Sequence, residues 1–192
     1  MNIQAVKEYV LGKLKNELKP DLYYHCLTHT IDVYESAKKL AAMENIIGND
    51  LILLETAALF HDTGFLTGYA NHEEQSVQLA RKILPGFGYS DGDIEIICRM
   101  ILATRLPQQP ITIPEKILCD ADLDYLGRDD FFMIANKLLC EWNENGIPIT
   151  LKKWYNIQVN FLESNHYFTK SAISLRKEKK KENLSQILEL LS

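Results

Sequence analysis

The residues in this chain best suited to chemistry are histidines and aspartates, and the densest pairing is His61-Asp62 within ALFHDTGF, Ala58 to Phe65. The pair ends an apolar run, LILLETAALF. An imidazole beside a carboxylate at the end of a buried helix is costly to desolvate unless the two share a partner. A divalent metal ion suits both, because neutral imidazole and ionised carboxylate are ordinary ligands of such ions. The competing reading is a helix end whose polar pair faces water.

Upstream, His25 and His29 are four residues apart, a spacing that on one helix puts both side chains on one face. The spacing matches the zinc-binding H-E-x-x-H helix, but Cys26 stands where the glutamate base would be, so a metalloprotease is set aside. His25 also reads as a histidine stacked beside Tyr23 and Tyr24. Downstream, ILCDADLDYLG, Ile117 to Gly127, carries Asp120, Asp122 and Asp124 among apolar residues. Steps of two rotate by roughly 200° around a helix, so the three cannot share one face. At least one must point to a charged partner; the plainest distribution leaves Asp120 and Asp124 in water and one aspartate inside.

The elements that must position these groups read as helices. Ile3, Val6, Val10, Leu14 and Leu18 follow helical spacing until Pro20. A second helix is expected from near Tyr24 to Met43, and a third from Leu51 to His61 after Gly48-Asn49-Asp50. A fourth is capped by Asn71 and ends at Pro85-Gly86. Ser90 and Asp93 form a capping box ahead of a helix over Ile94 to about Ala103. Thr112-Ile113-Pro114 starts another, with proline tolerated in the first turn, running to about Leu126. Segments over Asp129 to Trp142, Leu151 to about Asn165, and Thr169 to Leu191 complete the chain. No alternating run reads as a strand. The expectation is an all-α single domain of eight to ten helices.

Composition narrows the function. A chain of 192 residues with 46% hydrophobic and 24% charged residues suits one globular domain. A net charge of −5 argues against nucleic acid as the main partner. The RKEKKKE run, Arg176 to Glu182, reads as a solvated helix face. The amino-terminal segment lacks the apolar centre of a signal peptide, and no segment is long enough to span a bilayer. Four cysteines without a C-x-x-C pair read as reduced thiols, and a cytoplasmic location is expected.

Taken in order, His29, His61-Asp62 and Asp122 resemble the H…HD…D signature of the HD superfamily of metal-dependent phosphohydrolases. YHCLTHTIDVYE resembles the first motif, HEEQSVQLA follows the HD pair at a fitting distance, and DADLDYLG resembles the last. The resemblance covers roughly residues 23–131. Beyond it, the stretch from Glu141 to Thr169 looks like the carboxy-terminal part of a predicted-phosphohydrolase subgroup, so helices over 132–192 are expected to pack on an HD core.

The resemblance implies a helical bundle with His29, His61, Asp62 and Asp122 as metal ligands. They would hold one divalent ion (Mn, Fe, Co, Ni, Zn or Mg) with coordination positions left for water and a phosphate oxygen. Asp120 would then stand behind the ligands or toward the substrate, and His25 and His72 are candidates for an additional ligand or a supporting role. Members with two metals carry further histidines before the last aspartate; here that helix ends ILATR without one, which favours a single ion. The implied reaction is hydrolysis of a phosphate ester, of a nucleotide by preference, with Asp62 orienting the water and Glu73 transferring a proton. Arg105 and Lys116 would bind the phosphate. The alternatives are a metal-containing ligand-binding or regulatory module without turnover, and a helical protein with no metal at all.

Overall fold

The computed structural model describes residues 1–192 as nine α-helices joined by short turns, with no strand. The helices are α1 (Ile3–Glu17), α2 (Leu27–Met43), α3 (Gly48–Phe60), α4 (His72–Ile83), α5 (Asp91–Ala103), α6 (Ile113–Asp122), α7 (Phe131–Glu144), α8 (Leu151–Ser164) and α9 (Lys170–Leu191). Single 3₁₀ turns at Thr63–Leu66, Leu84–Phe87 and Asp124–Gly127 follow α3, α4 and α6. The all-α bundle expected from helical spacing is what forms.

Local chemistry explains most boundaries. Ser90 accepts from the Asp93 amide while the Asp93 carboxylate accepts from the Ser90 amide, and Thr112 and Glu115 repeat that reciprocal cap on α6. Helix α2 departs from expectation. It begins at Leu27, not Tyr24, because the backbone N–H groups of Tyr24 and His25 donate to Glu141 of α7 at 2.8 and 3.0 Å. Those donors are satisfied from outside, so the segment bends and His25 leaves the helix that carries His29. The third helix gains a turn, starting at Gly48, whose φ of +62° suits glycine.

Two apolar clusters form. The larger draws on α1 to α6, with Val33, Leu54, Phe60, Ile97 and Ile117 among its buried members. The smaller gathers Tyr24, Leu126, Phe131, Trp154, Leu162 and Ile187, chiefly from α7, α8 and the end of α9. Trp142 meets Trp154 edge-on at 5.4 Å beside it.

Polar anchors tie one cluster to the other, and here the expected burial of the aspartates is reversed. Asp120 and Asp124 are the buried ones. Asp120 accepts from the backbone N–H of Phe168 and Thr169 and from the Thr169 hydroxyl, at 2.7–2.8 Å, where α9 begins. Asp124 takes the guanidinium of Arg176 through two bonds, at 2.6 and 2.8 Å. The RKEKKKE face is therefore not wholly solvated: its first arginine is spent on a buried carboxylate. Asn183 adds two bonds, to the carbonyls of Leu126 and Arg128, each 3.0 Å.

Candidate metal centre

Four side chains converge where α2, the end of α3 and the end of α6 meet. His29 projects from the first turn of α2, His61 and Asp62 directly follow α3, and Asp122 is the last residue of α6. His29 Nε2 lies 3.3 Å from Asp62 Oδ2, 3.3 Å from Asp122 Oδ1 and 3.3 Å from His61 Nε2. His61 Nε2 lies 3.2 Å from Asp62 Oδ2 and 3.6 Å from Asp122 Oδ1. His61 Nδ1–H donates to the Ala58 carbonyl at 2.8 Å, which leaves Nε2 as the lone-pair nitrogen facing the cluster.

The donor set fits a divalent ion. Ligand atoms bonded at about 2.0–2.2 Å stand roughly 3–4 Å from one another around one centre; those of His29, His61 and Asp122 all lie within 4.8 Å of one another, and Asp62 Oδ2 stands 3.3 and 3.2 Å from the two imidazoles. Asp62 Oδ2 is buried and has no hydrogen-bond partner, a costly arrangement for a carboxylate unless a cation completes it. The electrostatics agree. Burial alone would push the His29 imidazolium down, but the carboxylates of Asp122 and Asp62 beside it outweigh that and carry the group up to about 10. Asp62 is likewise held well below the usual carboxylate range: burial pushes it up, and the close imidazoles of His61 and His29 overcome that. The carboxylates thus create a site that demands positive charge.

A buried serine keeps this corner in place. Ser76 of α4 donates to the His61 carbonyl at 2.7 Å and accepts from the Gly64 amide at 2.8 Å. Gly64 is needed because a Cβ there would run into the His72 carbonyl.

The cluster opens into a cavity of about 360 Å³. Its polar lining includes Asp62, His72, Glu73, Arg105, Asp122 and His25, and Tyr125, Leu138, Trp142, Ile157, Gln158 and Phe161 also line it. His72 Nε2 sits 3.5 Å from Asp62 Oδ1 and 3.5 Å from Glu73 Oε1. Arg105 pairs with Glu73 at 3.7 Å and with Glu74. His25 stacks on Phe65 at 3.9 Å, and its Nδ1 bonds to the fully buried Glu141, which also accepts from the Tyr69 hydroxyl.

Two expected groups are not brought to the cluster. Lys116 is not part of the cavity lining, and Asp120 is committed to the start of α9. Glu141, Ser76 and Gln158 were not singled out from sequence; each is one polar residue in an amphipathic helix, with nothing local to set it apart from surface neighbours.

A family model for the HD domain matches residues 26–124. The chain belongs to the HD family. That is a family of metal-dependent phosphohydrolases, and the converging His29, His61 and Asp122 accord with its divalent ion. An uncharacterised protein of Clostridium beijerinckii is 34% identical over 84 residues, which are 42% of this chain; the chain spans about half, 53%, of that relative's length. Bacillus subtilis YpgQ, in a crystal structure with ADP, shares the fold with a TM-score of 0.68 at 19% identity, over 98% of this chain and 95% of its own. A predicted HD superfamily hydrolase from an uncultured Thermotogales bacterium aligns with a TM-score of 0.61 at 24% identity, over 99% and 89%. No helix is long and apolar enough to cross a membrane, and the four cysteines are unpaired.

Proposed function

We propose that this HD protein hydrolyses a phosphate ester of a nucleotide, using one divalent ion held by His29, His61, Asp62 and Asp122. The observation that carries this reading is the orphaned, buried Asp62 Oδ2 between two imidazoles, at the edge of a cavity that also holds a cation for phosphate. When bound, a divalent ion acidifies water and polarises a phosphoryl oxygen. The rest of the work falls to side chains. Arg105, 45% exposed at the cavity rim, binds the phosphate as a planar donor once it leaves Glu73 and Glu74. Glu73, nine-tenths buried and aimed at His72, transfers the proton. Asp62 accepts a hydrogen bond that orients the attacking water, and His72 stands against its other oxygen, Oδ1.

Nucleotides are favoured because the cavity pairs this polar side with an aromatic one, and a protein of the same fold, YpgQ, is described with ADP. The unpaired cysteines suit a reducing cytoplasm. The test is metal analysis of the purified protein with a screen of nucleoside mono- and triphosphates under Mn²⁺. Bound metal with turnover, lost on the order of a thousandfold in Asp62→Ala, supports the proposal. Bound metal without turnover of any phosphate ester would make the domain a binding module instead.

A further inference from the structure

The cavity holds a second buried polar atom without a partner. Gln158, on α8, is 4% exposed, lines the cavity, and its Oε1 makes no hydrogen bond within the protein. Leaving a buried amide oxygen bare costs about 1–3 kcal/mol, and a leucine of similar volume would avoid that. The same cavity is lined by the apolar faces of Trp142, Phe161, Tyr125 and Ile157. This is a built site of the opposite character to the metal end, shaped for a planar apolar body with polar atoms on its rim.

We infer that Gln158 reads the nucleobase of the substrate. A carboxamide offers an acceptor beside a donor, and it pairs with any planar edge that offers a donor beside an acceptor. Nucleobases carry such edges; sugars and inorganic phosphates offer no planar counterpart to stack on Trp142 or Phe161. A half-turn of the terminal amide exchanges oxygen and nitrogen, so one residue can meet the edge in either sense. The inference rests on the phosphohydrolase reading and adds what that reading leaves open: the base is recognised by a buried carboxamide in the cavity that also presents Asp62 and Arg105.

The experiment compares Mn²⁺-loaded wild type with Gln158→Leu on the four ribonucleoside mono- and triphosphates and on two base-free compounds, ribose 5-phosphate and tripolyphosphate. The expected result is a wild-type preference in kcat/KM for base-bearing compounds that shrinks by roughly 10- to 100-fold in the variant. Its thermal midpoint should equal or exceed that of wild type, because no internal hydrogen bond is lost. Equal activity of wild type on base-free compounds, or an unchanged preference in the variant, overturns the inference and leaves the phosphohydrolase reading standing. So does a lowered midpoint with a uniform loss on all substrates, the mark of a structural glutamine. If wild type hydrolyses nothing, the phosphohydrolase reading fails by itself, and calorimetric titration with ADP decides the inference: roughly tenfold weaker binding to Gln158→Leu supports it, and equal or absent binding overturns it.

Discussion

The amino-terminal cluster, α1 to α6, and the carboxy-terminal cluster, α7 to α9, solve different problems. The first places the converging ligand set at helix ends: His61 and Asp62 just past one, Asp122 at another, His29 in the first turn of a third. The second is built of aromatic rings and buried polar groups, and its long-range bonds reach back to the residues that flank the ligands. Glu141 holds Tyr24 and His25, Arg176 holds Asp124, and the start of α9 holds Asp120. One half presents the chemistry; the other fixes the angles at which it is presented.

Substitutions can break that division. Asp122→Ala should remove bound metal, with activity down on the order of a thousandfold, while the thermal midpoint of the metal-free protein barely falls. Elemental analysis beside a melt checks it. Glu141→Gln should do the opposite. Losing a buried, multiply bonded carboxylate should cost about 2–4 kcal/mol, or about 4–16 °C in midpoint, with metal stoichiometry retained.

The pH dependence of that cost has a definite sign. Burial pushes the Glu141 carboxyl up, but the bonds and charge of His25 and the Tyr69 hydroxyl hold it below its usual value. Its contribution is therefore complete above the ordinary glutamate range and disappears as pH falls through the depressed value. Wild type and Glu141→Gln should converge in denaturation midpoint toward strong acid; a constant gap would refute the pairing.

Between these extremes, Gly64→Ala should cost about 1–3 kcal/mol by forcing α4 off the turn after Asp62, and should weaken metal binding with it. Metal uptake should also release protons. His29 is raised to about 10 in the metal-free protein, and an imidazole must be neutral to ligate, so apparent affinity should climb about tenfold per pH unit through the neutral range. Calorimetry in two buffers of different ionisation enthalpy would count the protons. The smallest effect belongs to the wet face of α9. Lys179, paired with the exposed Asp129, should tolerate Lys179→Gln with no more than about a degree of change.

The same contrast explains what could be read in advance. The order His29, His61-Asp62, Asp122 was visible because residue type and spacing carry it, and the helices because apolar periodicity and caps do. The start of α2 was misplaced, since its displacement is caused by Glu141, more than a hundred residues away. The burial of the aspartates of ILCDADLDYLG is hidden for the same reason: whether Asp124 is wet or buried depends on Arg176, and no local pattern reports that. Gln158 was invisible because it matters only in the company of Trp142 and Phe161.

The anchoring of Asp120 and Asp124 has a mechanical meaning. Two residues on either side of Asp122 are pinned to α9, so the short arc between them cannot rotate or slide without tearing both attachments. Helix α9 supplies none of the converging ligands, yet it acts as the splint that sets the roll of the last one. A chain cut before Thr169 would keep all four residues in its sequence and lose the bearing on which Asp122 is aimed.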